Sequence, residues 1–159
     1  MNAEVKIRRH IDAWEGFSTE PGRQHVTFEG EERLLPELNI IGWLRFTRAF
    51  DHGLEPDQHA KEFELHYIVN GEVNWWVKKD SYVLRAGTAL VIKPGERHGS
   101  ETGAPEPCEH YWLRIAFPRN KALPGLDKEQ TKALRIAFEN LERRDFSASE
   151  EIEKAFSQL

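Results

Sequence analysis

A mainly β domain, a sandwich or barrel with α-helices at its C-terminal end, is the expected fold of this 159-residue chain. Up to about residue 120 the apolar residues run in short stretches broken by Gly, Pro, Asn and Asp, and no window keeps a helical period. Tight-turn chemistry recurs between those stretches, at Asn70-Gly71, Lys79-Asp80-Ser81 and Pro94-Gly95. After Pro118 the spacing of apolar residues changes to that of an amphipathic helix.

The expected strands are Gln24 to Phe28, Leu38 to Phe46, Phe63 to Val69, Glu72 to Lys78, Tyr82 to Arg85, Thr88 to Ile92 and Glu109 to Phe117. Asn70-Gly71 predicts a two-residue type I′ hairpin, because both central positions of that turn need positive φ. Asp127 stands three residues before Gln130, a capping-box spacing, and opens a helix whose stripe is Leu134, Phe138 and Leu141. Ser147 and Glu150 repeat the spacing ahead of Ile152, Phe156 and Leu159, with Arg143-Arg144-Asp145 as the link. The second stripe is still running at Leu159, which fits either a fraying terminal helix or the front part of a longer protein. Residues 1–120 are therefore expected to form the β unit and 121–159 a helical segment that covers it or pairs with another chain.

Composition narrows the function classes. Hydrophobic residues make up 39% and charged residues 31%, a globular mixture, and at this length a chain buries about 70% of its unfolded surface without disulfide or metal help. Cys108 is the single cysteine, and the N-terminus lacks the apolar core of a signal peptide, so a reduced, cytoplasmic setting is expected. No apolar run approaches the roughly 20 residues of a membrane span. With 22 basic and 27 acidic residues the net charge is −5, which disfavours direct binding of nucleic acid.

The chemistry concentrates between Gly53 and His98. Gly53-Leu54-Glu55-Pro56-Asp57-Gln58-His59 is followed by Glu64 with Gly71 seven residues on, then by Gly87-Thr88-Ala89-Leu90-Val91-Ile92-Lys93-Pro94-Gly95-Glu96-Arg97-His98. This stretch resembles the two-part motif of the cupin superfamily, with Glu64, Gly71, Gly87, Gly95 and His98 in place. There are departures. The usual His-x-His pair lands on Gln58 and Ala60 with His59 between them, and Lys93 stands where the second motif has Pro. The resemblance implies a double-stranded β-helix, or jelly-roll barrel. Its closer branch is similar to the N-terminal sensing domain of AraC-type transcription regulators, carried by Glu64-Leu65-His66-Tyr67-Ile68-Val69-Asn70-Gly71-Glu72, Val91 to His98, His110-Tyr111-Trp112-Leu113-Arg114-Ile115-Ala116-Phe117 and the two helices. That branch implies a barrel holding a small effector, helices that pair two subunits, and a DNA-reading helix-turn-helix domain beyond the end of this chain.

Two sets of side chains are candidates for the binding site. Glu64 and His66 share a strand face, and the motif adds His98. Together with His59 they either hold a divalent metal, after a one-residue slip of the motif, or form a metal-free cluster of imidazoles around a carboxylate. On the last strand His110, Trp112 and Arg114 share one face, and the more apolar Tyr111, Leu113 and Ile115 the other. An imidazole, an indole and a guanidinium suit a wet pocket rather than a sealed core. A small hydroxylated effector, a carbohydrate or a sugar acid, is expected between the two sets, and a homodimer through Leu134, Phe138 and Leu141. The other function class is a stand-alone metal-dependent cupin enzyme, a dioxygenase or sugar isomerase. The broken His-x-His pair and the absence of a nucleophile and base at recognisable spacing favour the sensor, with no catalytic residue assigned.

Overall fold

The structure, a computed structural model, describes residues 22–29, 35–49, 56–101 and 106–158. Among them eight strands precede or interleave two helices: β1 (Arg23–Glu29), β2 (Leu38–Phe46), β3 (Phe63–Val77), β4 (Asp80–Arg85), β5 (Thr88–Ile92), β6 (His98–Ser100), β7 (Cys108–Ile115), α1 (Lys128–Glu139), β8 (Asp145–Ser147) and α2 (Glu150–Ser157). The sheet order is β1-β2-β7-β3-β5-β8, with β4 and β6 also paired to β3, and every pairing is antiparallel. Gly53, Leu54, Glu55 and Leu159, named above from the sequence, lie outside the described residues.

β3 organises the barrel. Its first half, Phe63 to Ile68, lies between β7 and β5, and its second half, Glu72 to Val77, lies between β4 and β6. The hairpin expected at Asn70-Gly71 is therefore corrected: the chain does not reverse there but bends, and two expected strands are one of 15 residues. Gly71 does have the positive φ, +83°, and its N–H is held by the Asn70 side chain at 2.8 Å. The pairing with β7 slips a residue between Ile68 and Asn70, and a Cβ on Gly71 would press into the Pro107 carbonyl. Positive φ is thus met at Gly71 and not at Asn70, and the pairing with β7 makes the site a bulge rather than a turn.

Two further corrections concern turns. Val77 pairs with Asp80, so the tight turn is Lys78-Lys79, one residue before the expected one, with Lys78 at φ 57°. Ser147 does not cap the second helix. It pairs with Thr88 in β8, and the residue before α2 is Ser149, whose side chain makes no capping bond. The unpaired edge of β5 explains the difference: Val91 N–H reaches Arg144 C=O at 3.0 Å and Ala148 N–H reaches Gly87 C=O at 2.8 Å, so the interhelical link covers that edge.

The first capping box forms as expected, Gln130 N–H to Asp127 at 2.7 Å and Asp127 N–H to Gln130 at 2.9 Å. The helices lie on the outer face of the barrel. Phe156 stacks on Tyr67 and Tyr111 with ring centroids 5.3 and 5.6 Å apart, and Phe138 meets Phe63 and Phe117 at 5.5 and 5.3 Å. The expected exposed stripe is thus corrected at Phe138 and Phe156, which this chain's own barrel covers. Leu134 stays 37% exposed, while Leu141 and Ile152 are half-buried. Inside the barrel Ile40, Leu44, Ile68, Leu84, Leu90 and Ile92 form the apolar core.

Candidate functional site

Alternation along β3 turns Glu64 and His66 into the barrel and Leu65 and Tyr67 out beneath the helices. On the paired β7, Arg114 stands opposite Glu64, Trp112 opposite His66 and His110 opposite Ile68. The two candidate sets are therefore side by side on neighbouring strands, not opposite walls of a gap. His98 enters from β6, in register with Val77. A bridge between Asp57 and His98 draws residues 57–62 across the same end of the barrel. His59 is fixed there by its carbonyl, which accepts from Gly95 N–H at 2.7 Å, and by Gln58, whose side chain donates to Gly95 C=O at 2.8 Å.

Three imidazoles converge on one carboxylate. His59 Nε2 is 2.7 Å and His98 Nε2 3.3 Å from Glu64 Oε2, and His66 Nε2 is 2.9 Å from Oε1. Asp57 Oδ2 lies 3.3 Å from His59 Nε2. Glu64, His66 and His98 are all at most 6% exposed. The ligand atoms of His59, Glu64 and His98 lie within 4.8 Å of one another, whereas His66 sits on the other carboxylate oxygen, outside that group. The contacts are short but not straight: Glu64 Oε2 and His66 Nε2 lack a well-directed hydrogen bond.

Burial alone would raise the Glu64 pKa, but His59, His66 and His98 outweigh it and hold the carboxyl well below its usual range. Burial alone would lower that of His98. Glu64 reverses the sign, so the imidazole is a stronger base than usual, and its Nδ1 faces the Glu96 carbonyl at 2.9 Å. Glu64 and His98 are thus poised as an ion pair.

The rest of the candidate set extends the cluster. His110 lies 5.8 Å from His66 and 5.7 Å from Trp112 between ring centroids, and its Nδ1 is 3.8 Å from Cys108 Sγ. The Trp112 ring packs directly on Gly42, where a Cβ would overlap it, so part of the indole is wall rather than open platform. Arg114 reaches His59: Nη1 is 3.0 Å from Nδ1, and Nε is 3.8 Å from Glu62.

A second layer went unread in the sequence. Glu96, 4% exposed, accepts two hydrogen bonds from Arg144, one at 2.6 Å, while Lys78 stands 3.2 Å away. Lys93, the departure from the motif, donates from Nζ to Glu139 C=O at 2.7 Å and puts a cation on the C-terminal end of α1, whose last turn has none of its own. Asp57, Glu62 and Glu96 lie in or beside the motif stretch, so their neighbourhood was visible. Arg144 is 48 residues from Glu96, and nothing in the sequence links them.

A cavity of about 430 Å³ lies on the opposite face of the sheet, between β3, β5, β7 and the helices, lined by Leu65, Val91, Leu113, Phe138, Ile152 and Phe156 among other apolar residues. It contains none of the polar candidates.

The family model described as AraC-like ligand binding domain matches residues 44–159. No curated protein matches the chain. Among solved structures, a Geobacillus kaustophilus protein is similar at 15% identity with a TM-score of 0.51, over 64% of this chain and 42% of that one. A predicted oxalate decarboxylase of Thermotoga maritima is similar at 19% identity and a TM-score of 0.48, over 59% and 80%. The cupin domain of Schizosaccharomyces pombe Cnp3 is similar at 10% identity and a TM-score of 0.46, over 71% of each chain. The fold is that of a cupin barrel with C-terminal helices.

Proposed function

The chain belongs to the AraC-like ligand-binding domain family, and from that membership we propose a sensing domain of a cytoplasmic transcription regulator that takes a small hydroxylated molecule, a carbohydrate or sugar acid, in the barrel. The observation that carries this reading is the buried Glu64 with its three imidazoles, continuous with His110, Trp112 and Arg114. Buried polar groups cost about 1–3 kcal/mol each when unpaired, so such a row is kept where directed hydrogen bonds serve a ligand. Carboxylate and imidazole address hydroxyl groups, and the Arg114 guanidinium suits a carboxylate. Pairing of subunits is assigned to α1 through Leu134 and Leu141, with Phe138 supporting the helix from below. DNA contact belongs to a separate helix-turn-helix region, since the net charge here is −5.

Thermal-shift screening of sugars and sugar acids tests the reading. A true effector at 100 times its Kd adds about 2.7 kcal/mol of stability. Glu64→Gln and Arg114→Met should abolish that gain. A hit that stabilises both variants as much as the parent would move the site elsewhere, and no hit at all would remove the assignment.

The alternative is a metal-dependent cupin enzyme, a dioxygenase or sugar isomerase, favoured by the convergence of His59, Glu64 and His98. Two imidazoles and a carboxylate are the right atoms for a divalent first-row ion, which would supply a Lewis acid. Stoichiometric iron, manganese or nickel in protein purified without chelator would favour the enzyme.

A further inference from the structure

We propose that Arg114 is a specificity-determining residue that keeps this site free of metal, by holding His59 in the tautomer that cannot ligate. The proposal deepens the sensing reading and rests on it, since it explains why an organic ligand rather than an ion would be accepted.

A guanidinium has only donors. Its Nη1, 3.0 Å from His59 Nδ1, therefore requires Nδ1 to accept, and a neutral imidazole then carries its proton on Nε2. That nitrogen faces two carboxylate oxygens, Glu64 Oε2 at 2.7 Å and Asp57 Oδ2 at 3.3 Å, which want a proton there. Turning the ring over would set carbon against the guanidinium and both carboxylates. The Arg114 hydrogen bond sets the tautomer, and the two carboxylates, close by but without a well-directed hydrogen bond at Oε2, favour the same proton position through their charge. Ligation needs the opposite one, with a lone pair on Nε2 and a proton on Nδ1, and that proton would point at an Arg114 N–H. Arg114 is placed by its strand, in register opposite Glu64, and Glu62 lies 3.8 Å from its Nε, near enough for charge attraction but not for a hydrogen bond.

His98 shows the contrast. Its Nδ1 faces the Glu96 carbonyl at 2.9 Å, which keeps Nδ1 as the donor, so giving up the one proton it shares with Glu64 would free Nε2 in the arrangement that metal-bound histidines use. Of the two imidazoles that could join Glu64 on an ion, one is arranged for ligation and the other against it. A residue at position 114 that accepts a proton instead of donating one would reverse His59 and complete a three-residue metal centre.

The test uses the full chain stripped of metal and titrated with CoCl2, followed by calorimetry and by the visible bands of bound Co2+. Arg114→Gln, whose side-chain oxygen can accept from Nδ1–H, is expected to bind Co2+ at least about tenfold more tightly than the parent, in line with what outer partners of ligating histidines contribute. Adding His59→Ala to Arg114→Gln should erase the gain. Equal affinity in parent and Arg114→Gln, or no Co2+ bound by either, would overturn the proposal. Should Arg114→Gln not fold, long-range 1H–15N spectra of the parent decide: a protonated Nε2 and bare Nδ1 on His59 are expected, and the reverse refutes the lock. The sensing reading fails on different data, a sugar and sugar-acid screen without a hit, which leaves the cobalt comparison standing.

Discussion

The two faces of β3 and β7 differ more than any other neighbouring regions of the molecule. Leu65, Tyr67, Tyr111 and Leu113 look out to the helices, where Phe156 lies across two tyrosine rings and Phe138 meets two phenylalanines. One residue along in each case, Glu64, His66, His110 and Trp112 look inward to a carboxylate ringed by imidazoles. The outer face is apolar burial, which stabilises in proportion to area. The inner face is a buried ionic cluster, whose attraction is largely offset by desolvation, so it contributes chemistry at little net stability. A period of two lets one strand serve both ends.

That contrast breaks first on the outer face. Phe156→Ala removes the ring that pins α2 and should cost about 3–5 kcal/mol in urea unfolding. A loss below 1 kcal/mol would mean that other contacts hold the helix.

The link between the faces comes next. Arg144→Ala leaves the buried Glu96 carboxylate with the Lys93 N–H at 2.9 Å and Lys78 at 3.2 Å but without its guanidinium, and should cost about 3 kcal/mol. Combining it with Glu96→Gln should recover most of that, because the uncompensated charge is gone. Additive losses in the double variant would show that the pair is not coupled.

On the inner face the expected effect is smaller and depends on pH. The Glu64 pKa is depressed from its ordinary 4.5, so its contribution is present above that value and fades as pH falls through the folded one. The His98 pKa is raised from 6.5, so its contribution is present below that value and fades as pH rises through the folded one. The metal-free protein should be most stable between the two ordinary values, and Glu64→Gln should flatten both slopes. An unchanged profile in that variant would separate Glu64 from His98.

The smallest effect is at Cys108. Burial pushes its thiol up to about 11, so alkylation at neutral pH should follow unfolding, and iodoacetamide should label native protein far more slowly than urea-unfolded protein. Equal rates would mean that the His110 end of the inner face opens readily.

Patterns that act within a few residues were legible. Alternation placed Glu64 with His66, and His110 with Trp112, on inner faces, and the Asp127 capping box was readable because its partners are three residues apart. Positive φ was expected at both Asn70 and Gly71 but occurs at Gly71 alone, since a bulge asks it of the glycine only whereas a type I′ hairpin asks it of both residues. The three-residue strands β6 and β8 are too short to alternate visibly, and they exist because β3 and β5 have edges to satisfy. At the site, Glu64 and His98 stood in register with the motif. The position of His59 depended on the bridge between Asp57 and His98, which spans 41 residues by subtraction of their numbers.

What the sequence determined by itself is the period of each segment, the caps and the chemical inventory of each strand face, because these follow from backbone geometry over a few residues. Only the tertiary structure decided which inventories meet. It brought Arg144 to Glu96, Arg114 to His59, and Phe156 to its own barrel rather than a second subunit. Such pairings are selected by the burial and hydrogen bonding of the whole chain, and groups tens of residues apart carry no local mark of the partner they will find.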